Sequence, residues 1–550
     1  MGFGAFAGAF GDLIRAFALV PSAALVFLTV LAADFGAARL VAFGTGFGAR
    51  DFALVDFAAF LPRDVFLAMT VHLTLIAVDR EKCPKANEWR AFRQAARNAH
   101  QCVTAPLNRL QPLAVRLYSY FLKNRVGFPT MQGYHCFMVG QLVRIAAILF
   151  STVFFLMGNG LINTLTPLRA DLEGFSDLAL GALGSWYYGG FALGCLGGPY
   201  LFARTGHIRA FSIAAALTAT SVLLLPILAL PLAWFLLRAL SGLCIAIQFM
   251  ALESWLNERA SNENRGTVLS TYIVVNLSAI ILGQWLLLLA QPVSFELFTI
   301  GAICYCLCLI PVGLTRLPQP NPQMVPRLNI GKLLKVAPVG VAGCLTVGLA
   351  NGAFWTLAPA YARSLGFDTT QLALFMSVFI AGGALAQWPL GRLSDRVDRR
   401  GIIALVCTAA AVSGIILGLF GWLVVRAPDI FYVLVFILGA AMLPLYSISI
   451  AHANDRLPSA DFLQTSAGLL MVLSVASVAG PLMASFLTAI DPGALFIFIA
   501  ITNALMAFFA FTRTRMRDAP EQEEREAFAA LPQGSPAALP LDPRAPDNVT

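Results

Sequence analysis

The stretch Asn159-Gly-x-x-x-Thr-Leu-x-Pro167 returns 192 residues later as Asn351-Gly-x-x-x-Thr-Leu-x-Pro359, so the chain carries one pattern twice. Gly174-Phe175 and Gly366-Phe367 keep the same offset, and farther on it settles at 197 for Gly242/Gly439, Asn257/Asn454, Arg259/Arg456 and Gly283/Gly480. Acidic Glu258 is answered there by acidic Asp455, and one loop has gained five residues. A repeat this long in strongly apolar sequence implies two homologous helical halves with a path between them.

Composition sets the solvent. With 58% hydrophobic and only 12% charged residues and a mean hydropathy of +0.76, the chain has too little polar surface to cover a soluble globule of 550 residues. In a bilayer core the backbone must bond to itself, and the apolar runs have helix length without alternation, which favours helices over a barrel. The net charge of +8 does not signal nucleic acid, because the basic residues sit in short loops between apolar segments. The ten cysteines form no disulfide framework. Cys304, Cys306 and Cys308 lie two apart, point away from one another on a helix and have no histidine or acid nearby, so no metal is expected.

Residues 1–140 carry neither repeat mark, and the apolar run from 52 to 78 contains Arg63 and Asp64 near its middle. They are expected to be a poorly ordered extension, or to precede a folded unit that starts near Met131 or Met138, with an added helical pair as the alternative. From 142 to 512 twelve apolar segments of spanning length succeed one another, each near the ~20 residues that cross a bilayer. The expected fold is an all-α integral membrane protein: a six-helix half at 141–316, a Pro-rich linker at 317–333, a second six-helix half at 334–515, and a disordered acidic, Pro-rich tail at 516–550. One set of connecting loops and tail carries sixteen arginines and lysines, and the other set only Arg169, Arg363 and Arg426. Positive residues are retained in the cytoplasm, so both ends of the core are expected there.

After the eighth segment comes Gly391-Arg-Leu-Ser-Asp-Arg-Val-Asp-Arg-Arg400. This resembles the signature loop of the major facilitator superfamily, Gly-x-Leu-Ala-Asp-Arg-x-Gly-Arg-Arg/Lys, with Asp398 in the place of a Gly. Asp395 at a helix end can accept hydrogen bonds from a neighbouring helix's amino terminus. The first-half counterpart, Pro199-Tyr-Leu-Phe-Ala-Arg-Thr-Gly206, has Ala203 at the position of that acid and keeps Arg204. A cytoplasmic latch is therefore expected to lean on the second half. Glu253-Ser-Trp-Leu-Asn-Glu-Arg259, the Asn264-Arg-Gly266 step, Gly283-Gln-Trp285 and Gln387-Trp-Pro-Leu-Gly-Arg-Leu393 look like the YcaD-like branch of that superfamily. The resemblance covers about residues 140–515 and implies a transporter whose substrate it does not fix.

Arg238 and Gly242 resemble the family's Arg-x-x-x-Gly motif, in which a buried arginine handles substrate or protons; snorkelling to the membrane surface is the alternative. Buried amides turn inward in a bundle, which nominates Asn159, Asn163, Asn276, Asn351 and Gln387 for the substrate path, with Trp355 and Tyr446 as aromatic company; Gln284, Asn503 and Trp388 are further candidates. Helix-to-helix bonding is the competing role for each. The expected cytoplasmic gate combines Arg204, Glu253, Glu258 and Arg259 of the first half with Gly391, Asp395, Arg396, Arg399, Arg400, Asp455 and Arg456 of the second. Glu253 and His452 are the titratable groups, since no acid lies well inside a predicted helix.

The expected function is secondary active transport of a small molecule by alternating access, with proton-coupled efflux as one mode. A transport-inactive membrane scaffold or an integral membrane enzyme is the alternative. No catalytic residues, metal or cofactor are expected, and no Walker motif supports ATP-driven pumping. The expected partners are a small-molecule substrate, lipid, and protons where the cycle is coupled, with no nucleic acid. A monomer in the bacterial inner membrane is expected.

Overall fold

The computed structural model describes residues 129–260, 264–314, 320, 330–421, 423–457, 462–516, 528–532 and 534–542. The expectations for residues 1–128 and for most of the linker fall outside these. The chain separates into compact units at 1–142 and 143–550, and the second of them holds the helical bundle.

Every regular element among the described residues is helical. The first half contains α1 (Pro129–Leu172), α2 (Asp177–Thr205), α3 (His207–Leu224), α4 (Pro231–Arg259), α5 (Arg265–Trp285, prolonged by a 3-10 turn to Leu289) and α6 (Glu296–Leu307, prolonged to Leu314). The second contains α7 (Pro338–Ser364), α8 (Thr369–Arg396), α9 (Arg399–Leu419), α10 (Pro428–Met442, resuming as Leu445–Asn454), α11 (Phe462–Thr488) and α12 (Ala494–Met516). Eleven of these are long and apolar enough to cross a membrane. The twelfth, α2, has the same 29-residue length as α4 but is diluted by seven glycines. Helix α1 begins at Pro129, upstream of the expected start at 142. Pro444 explains the break in α10, because proline offers no N–H to continue the helix.

The repeat has a physical basis in close helix packing. A Cβ on Gly242 would lie 2.0 Å from the Tyr187 carbonyl oxygen, and one on Gly439 would lie 1.9 Å from that of Phe379. Gly283 meets the Met157 carbonyl at 2.5 Å, and Gly480 meets that of Leu349 at 2.3 Å. Each pair joins the same two helices of its half, α2 to α4 or α8 to α10, and α1 to α5 or α7 to α11. Only glycine permits such approaches. The first turn repeats too: Gly174 (φ 81°) and Gly366 (φ 78°) end α1 and α7 in the left-handed conformation. Phe175 N–H then donates to Ala170 O and Phe367 N–H to Ala362 O, as a glycine helix stop requires. Ser176 and Asp368 cap the next helices, α2 and α8.

The loops after α2, α4, α8 and α10 and the end of α12 form the basic end of the bundle; the loops after α1 and α7 belong to the far end. Across the halves, α2 packs on α7 and α11, and α5 on α8. Toward the far end, Ser185 Oγ donates to Val478 O at 2.7 Å. There too Arg363 pairs with Asp171 at 2.6 Å. These two residues are 192 apart, so they occupy the same position in the two repeats.

The tail departs from expectation. Instead of lying outside the fold throughout, residues 528–532 and 534–542 pack into the bundle, with Leu531, Leu539 and Leu541 at most 3% exposed. The acidic stretch ends at Glu526, and the next run, Phe528-Ala-Ala-Leu-Pro-Gln-Gly-Ser-Pro-Ala-Ala-Leu-Pro-Leu541, is apolar. Its prolines keep it from continuing as an α-helix, leaving only the 3-10 turn Pro536–Leu541, and its small side chains let that path lie in a cleft between helices.

Candidate functional site

A cavity of about 260 Å³ opens between the halves. Its walls come from α1, α2, α4 and α5 on one side and α7, α8, α10 and α11 on the other, while α3, α6, α9 and α12 contribute none of the lining. Of the residues nominated for a path, Asn159, Asn163, Asn276, Asn351, Trp355 and Gln387 line it. Asn159 and Asn351, one position in two repeats, line it from the two halves.

Arg238 stands behind the first-half wall. It is 5% exposed, its guanidinium lies 4.1 Å from the Tyr187 ring centroid, and Nη2 donates to Asn163 Oδ1 at 3.1 Å. Asn163 Nδ2 passes the chain on to Asn159 Oδ1 at 3.1 Å. The side chain thus turns into the protein, which disposes of snorkelling. Among the described residues no carboxylate pairs with it, and its Nε has no partner. A cation held against an aromatic face and an amide, with its charge uncompensated, favours an electron-rich ligand.

Asn276 Oδ1 and both amide atoms of Asn351 are also buried without partners among the described residues. A buried amide left unbonded is unfavourable by roughly 1–3 kcal/mol, which a polar solute or water removes. Other amides have the packing role instead: Gln284 accepts from Thr164 at 2.7 Å and donates to Gly160 O at 3.0 Å, tying α5 to α1. Asn503 donates within its own helix. Trp388 is exposed under the Arg392 guanidinium. Tyr446 is fully buried and does not line the cavity. Sequence reasoning missed Tyr187, Tyr188, Ser474 and Ser477, all in the lining. The Tyr pair before Gly189-Gly190 was a usable signal, because Gly190, which brings α2 against α4, shares a helix face with Tyr187 three residues earlier.

The expected gate residues separate into three groups. Arg204, Glu258 and Arg396 are exposed, and Arg259 is half-buried. A second group braces the second half internally: Arg399, with 1% of its side chain exposed, pairs with Asp455 at 2.7 Å and with Asp395 at 3.3 Å. Arg400 pairs with Asp398 at 2.7 Å and donates to Arg513 O at 2.7 Å, and Arg456 adjoins Asp455 at the end of α10. Asp398, not Asp395, caps α9 by accepting from Arg400 N–H. Partial burial would raise the Asp398 carboxyl, but hydrogen bonds from Arg400 and its charge hold it below its ordinary value. The third group, Glu253, Asp395 and Gly391, meets the tail. Glu253 accepts from Tyr272 OH at 3.0 Å and from Ser535 Oγ. Asp395 Oδ1 accepts from Phe528 N–H at 2.9 Å, and the Phe528 ring packs on Gly391. Leu531, Pro532 and Gly534 floor the cavity.

The family model of the Major Facilitator Superfamily matches residues 148–459 and 341–541. The chain is 29% identical over 333 residues to an uncharacterized MFS-type transporter, YcaD, of Salmonella typhimurium, covering 59% of this chain and 84% of that protein. The same identity and coverage hold for YcaD of Salmonella enteritidis. Among solved structures it is similar to the nucleoside transporter NupG, with a TM-score of 0.53 at 14% identity, covering 68% of this chain and 99% of that one. A D-xylose-proton symporter gives 0.51 at 16%, covering 70% and 98%. With the twelve helices, the duplicated half and the second-half signature loop in place, the chain belongs to the major facilitator superfamily of multi-pass membrane transporters.

Proposed function

We propose that this chain is a secondary active transporter that carries a small polar solute by alternating access, the two halves rocking about the cavity between them. The observation that supports this best is the placement of unsatisfied polar groups: Arg238 Nε and Asn276 Oδ1 from one half and Asn351 from the other, all buried at or behind one cavity. A solute with donors and acceptors, and an anionic or strongly accepting group toward Arg238, satisfies them together. The apolar remainder of the lining, with Trp355 and Tyr188, suits a planar or hydrocarbon portion. The basic end faces the cytoplasm of a bacterial inner membrane in this reading. Glu253, buried completely beneath the cavity floor, is the carboxylate on which a proton-coupled cycle would turn.

The test is uptake and efflux of a panel of labelled polar solutes in proteoliposomes at several pH values. Movement of a solute class should be lost in Arg238→Ala, and Arg238→Lys should weaken it about ten- to hundredfold, because lysine lacks the fork that bonds Asn163. Transport unchanged in both variants would remove Arg238 from the path, and a panel that never moves would sink the reading.

A further inference from the structure

The cleft between the halves at the basic end is filled by the chain's own tail. Residues 528–532 and 534–542 touch both halves: Ser535 Oγ donates to Glu253 of α4, while Gly534 lies against that carboxylate and the Phe249 ring. On the other side Phe528 N–H donates to Asp395 of α8, and Leu531 N–H donates to Ser447 Oγ of α10 at 2.9 Å. The 3-10 turn Pro536–Leu541 packs on α4, α5 and α11. Ser535, Ala538 and Leu541 are at most 1% exposed, so the segment is enclosed and not laid on a surface.

The same segment floors the central cavity through Leu531, Pro532 and Gly534. Toward the other end the two halves meet helix on helix: α2 packs on α11 and α7, with Gly181 against Ser485 and Gly184 against Thr356. The cavity therefore has helices at one end and a peptide at the other. A helical seal needs the halves to move as bodies, whereas a peptide seal needs only the tail to leave. Residues 517–527, the 11 between α12 and Phe528, can reach roughly 35–40 Å when extended, so release requires no change in α12.

We propose that the basic-end cleft is a docking site for an Ala/Pro-rich peptide that ends in a 3-10 turn, and that residues 528–532 and 534–542 are its resident ligand and a detachable inner gate. Docked, the tail bridges α4 to α8 and α10 and closes the cavity; undocked, it opens the cavity to the basic end. The carboxylate of Glu253 and the hydroxyl of Ser447 are the polar receptors, and the Ser535 hydroxyl and the Leu531 N–H are the groups they read. This explains why the first-half loop has Ala203 at the acidic position of the latch: closure at this end rests on the tail and not on a pair of matched loops.

The test reads accessibility and not transport, so its outcome is independent of any substrate. Ser474 lines the cavity, and Ser474→Cys is labelled by a polar maleimide on full-length protein in nanodiscs, the rate at position 474 being read by peptide mass. Two releasing variants are compared: truncation after Asp518, and full-length Gly534→Leu, whose Cβ would fall 2.6 Å from Glu253 Oε1 and 2.9 Å from the Phe249 ring. Labelling should rise about tenfold or more in both, and a synthetic peptide of residues 527–543 should restore protection to the truncated protein. Labelling of position 474 at one rate in all three proteins would overturn the proposal, as would a truncated protein that the peptide leaves unprotected.

Discussion

At the far end the halves meet helix on helix, with Gly181 and Gly184 of α2 seated on Ser485 of α11 and Thr356 of α7 and Asp171 paired to Arg363 at the rim. At the basic end the second half is cross-braced within itself by Arg399, Asp455 and Arg400, and the link between the halves is a stretch of tail held by Glu253, Asp395 and Ser447. The difference lies in what each seal can do. Interdigitated helices separate only by a rigid-body movement, while a docked peptide separates by breaking a few hydrogen bonds and exposing its own buried apolar residues, Leu531, Leu539 and Leu541 among them. The signature loop thus acts as a strut within one half, and Asp395 extends that strut to the tail.

The comparison can be broken from either end. Asp455→Ala should have the largest effect, because it strips a buried guanidinium of its carboxylate at 2.7 Å. Losing one partner of such a pair destabilises by about 3–5 kcal/mol, to be seen as a lower Tm of the detergent-solubilised protein and looser packing of α9 on α10 by hydrogen exchange. An unchanged Tm would mean that Asp395 alone suffices for Arg399.

Gly184→Val attacks the far seal. Its Cβ would lie 2.1 Å from Thr356 Oγ1, and overpacking of this kind destabilises by about 1–3 kcal/mol. Labelling of a cavity cysteine by a reagent applied from the far side should rise in this variant and stay at its basal rate in the tail variants. Equal responses in both would show that the two seals are not separate.

Asp171→Asn should be the smallest change. The Arg363 partner has 44% of its side chain exposed, and surface pairs contribute about 0–1 kcal/mol. The variant keeps the bond from Arg363 to the Asp171 carbonyl at 3.1 Å, so far-side labelling and Tm should match the parent. A marked rise in far-side labelling would make this pair a true part of the seal.

Much of the bundle was legible in the residues because membrane folds obey short-range rules. Eleven spans could be read from apolar length and α2 from its place in the repeat, and the duplication from Gly242/Gly439 and Gly283/Gly480, whose missing side chains let neighbouring backbones approach. The glycine stops at Gly174 and Gly366 were in the repeat pattern as well. The amides of the cavity were nameable because a buried amide has few options, yet sequence could not separate Asn351, which faces the cavity unbonded, from Gln284, which ties two helices. That distinction depends on the rotation of each helix in the bundle, which distant packing sets.

The tail lay furthest from what sequence alone can decide. Proline and charge near Glu526 read locally as disorder, and nothing in residues 528–542 announces a partner. Its order comes from a cleft whose walls are contributed by Glu253, Ser447 and Asp395, 133 to 282 residues away for the two carboxylates. Sequence determined which segments cross the membrane and which are copies, since hydrophobic length and glycine spacing act locally. Tertiary structure alone decided where the tail lies, because a Pro-rich peptide with a single 3-10 turn of its own is held only where a preformed groove supplies the remaining hydrogen bonds and apolar contacts.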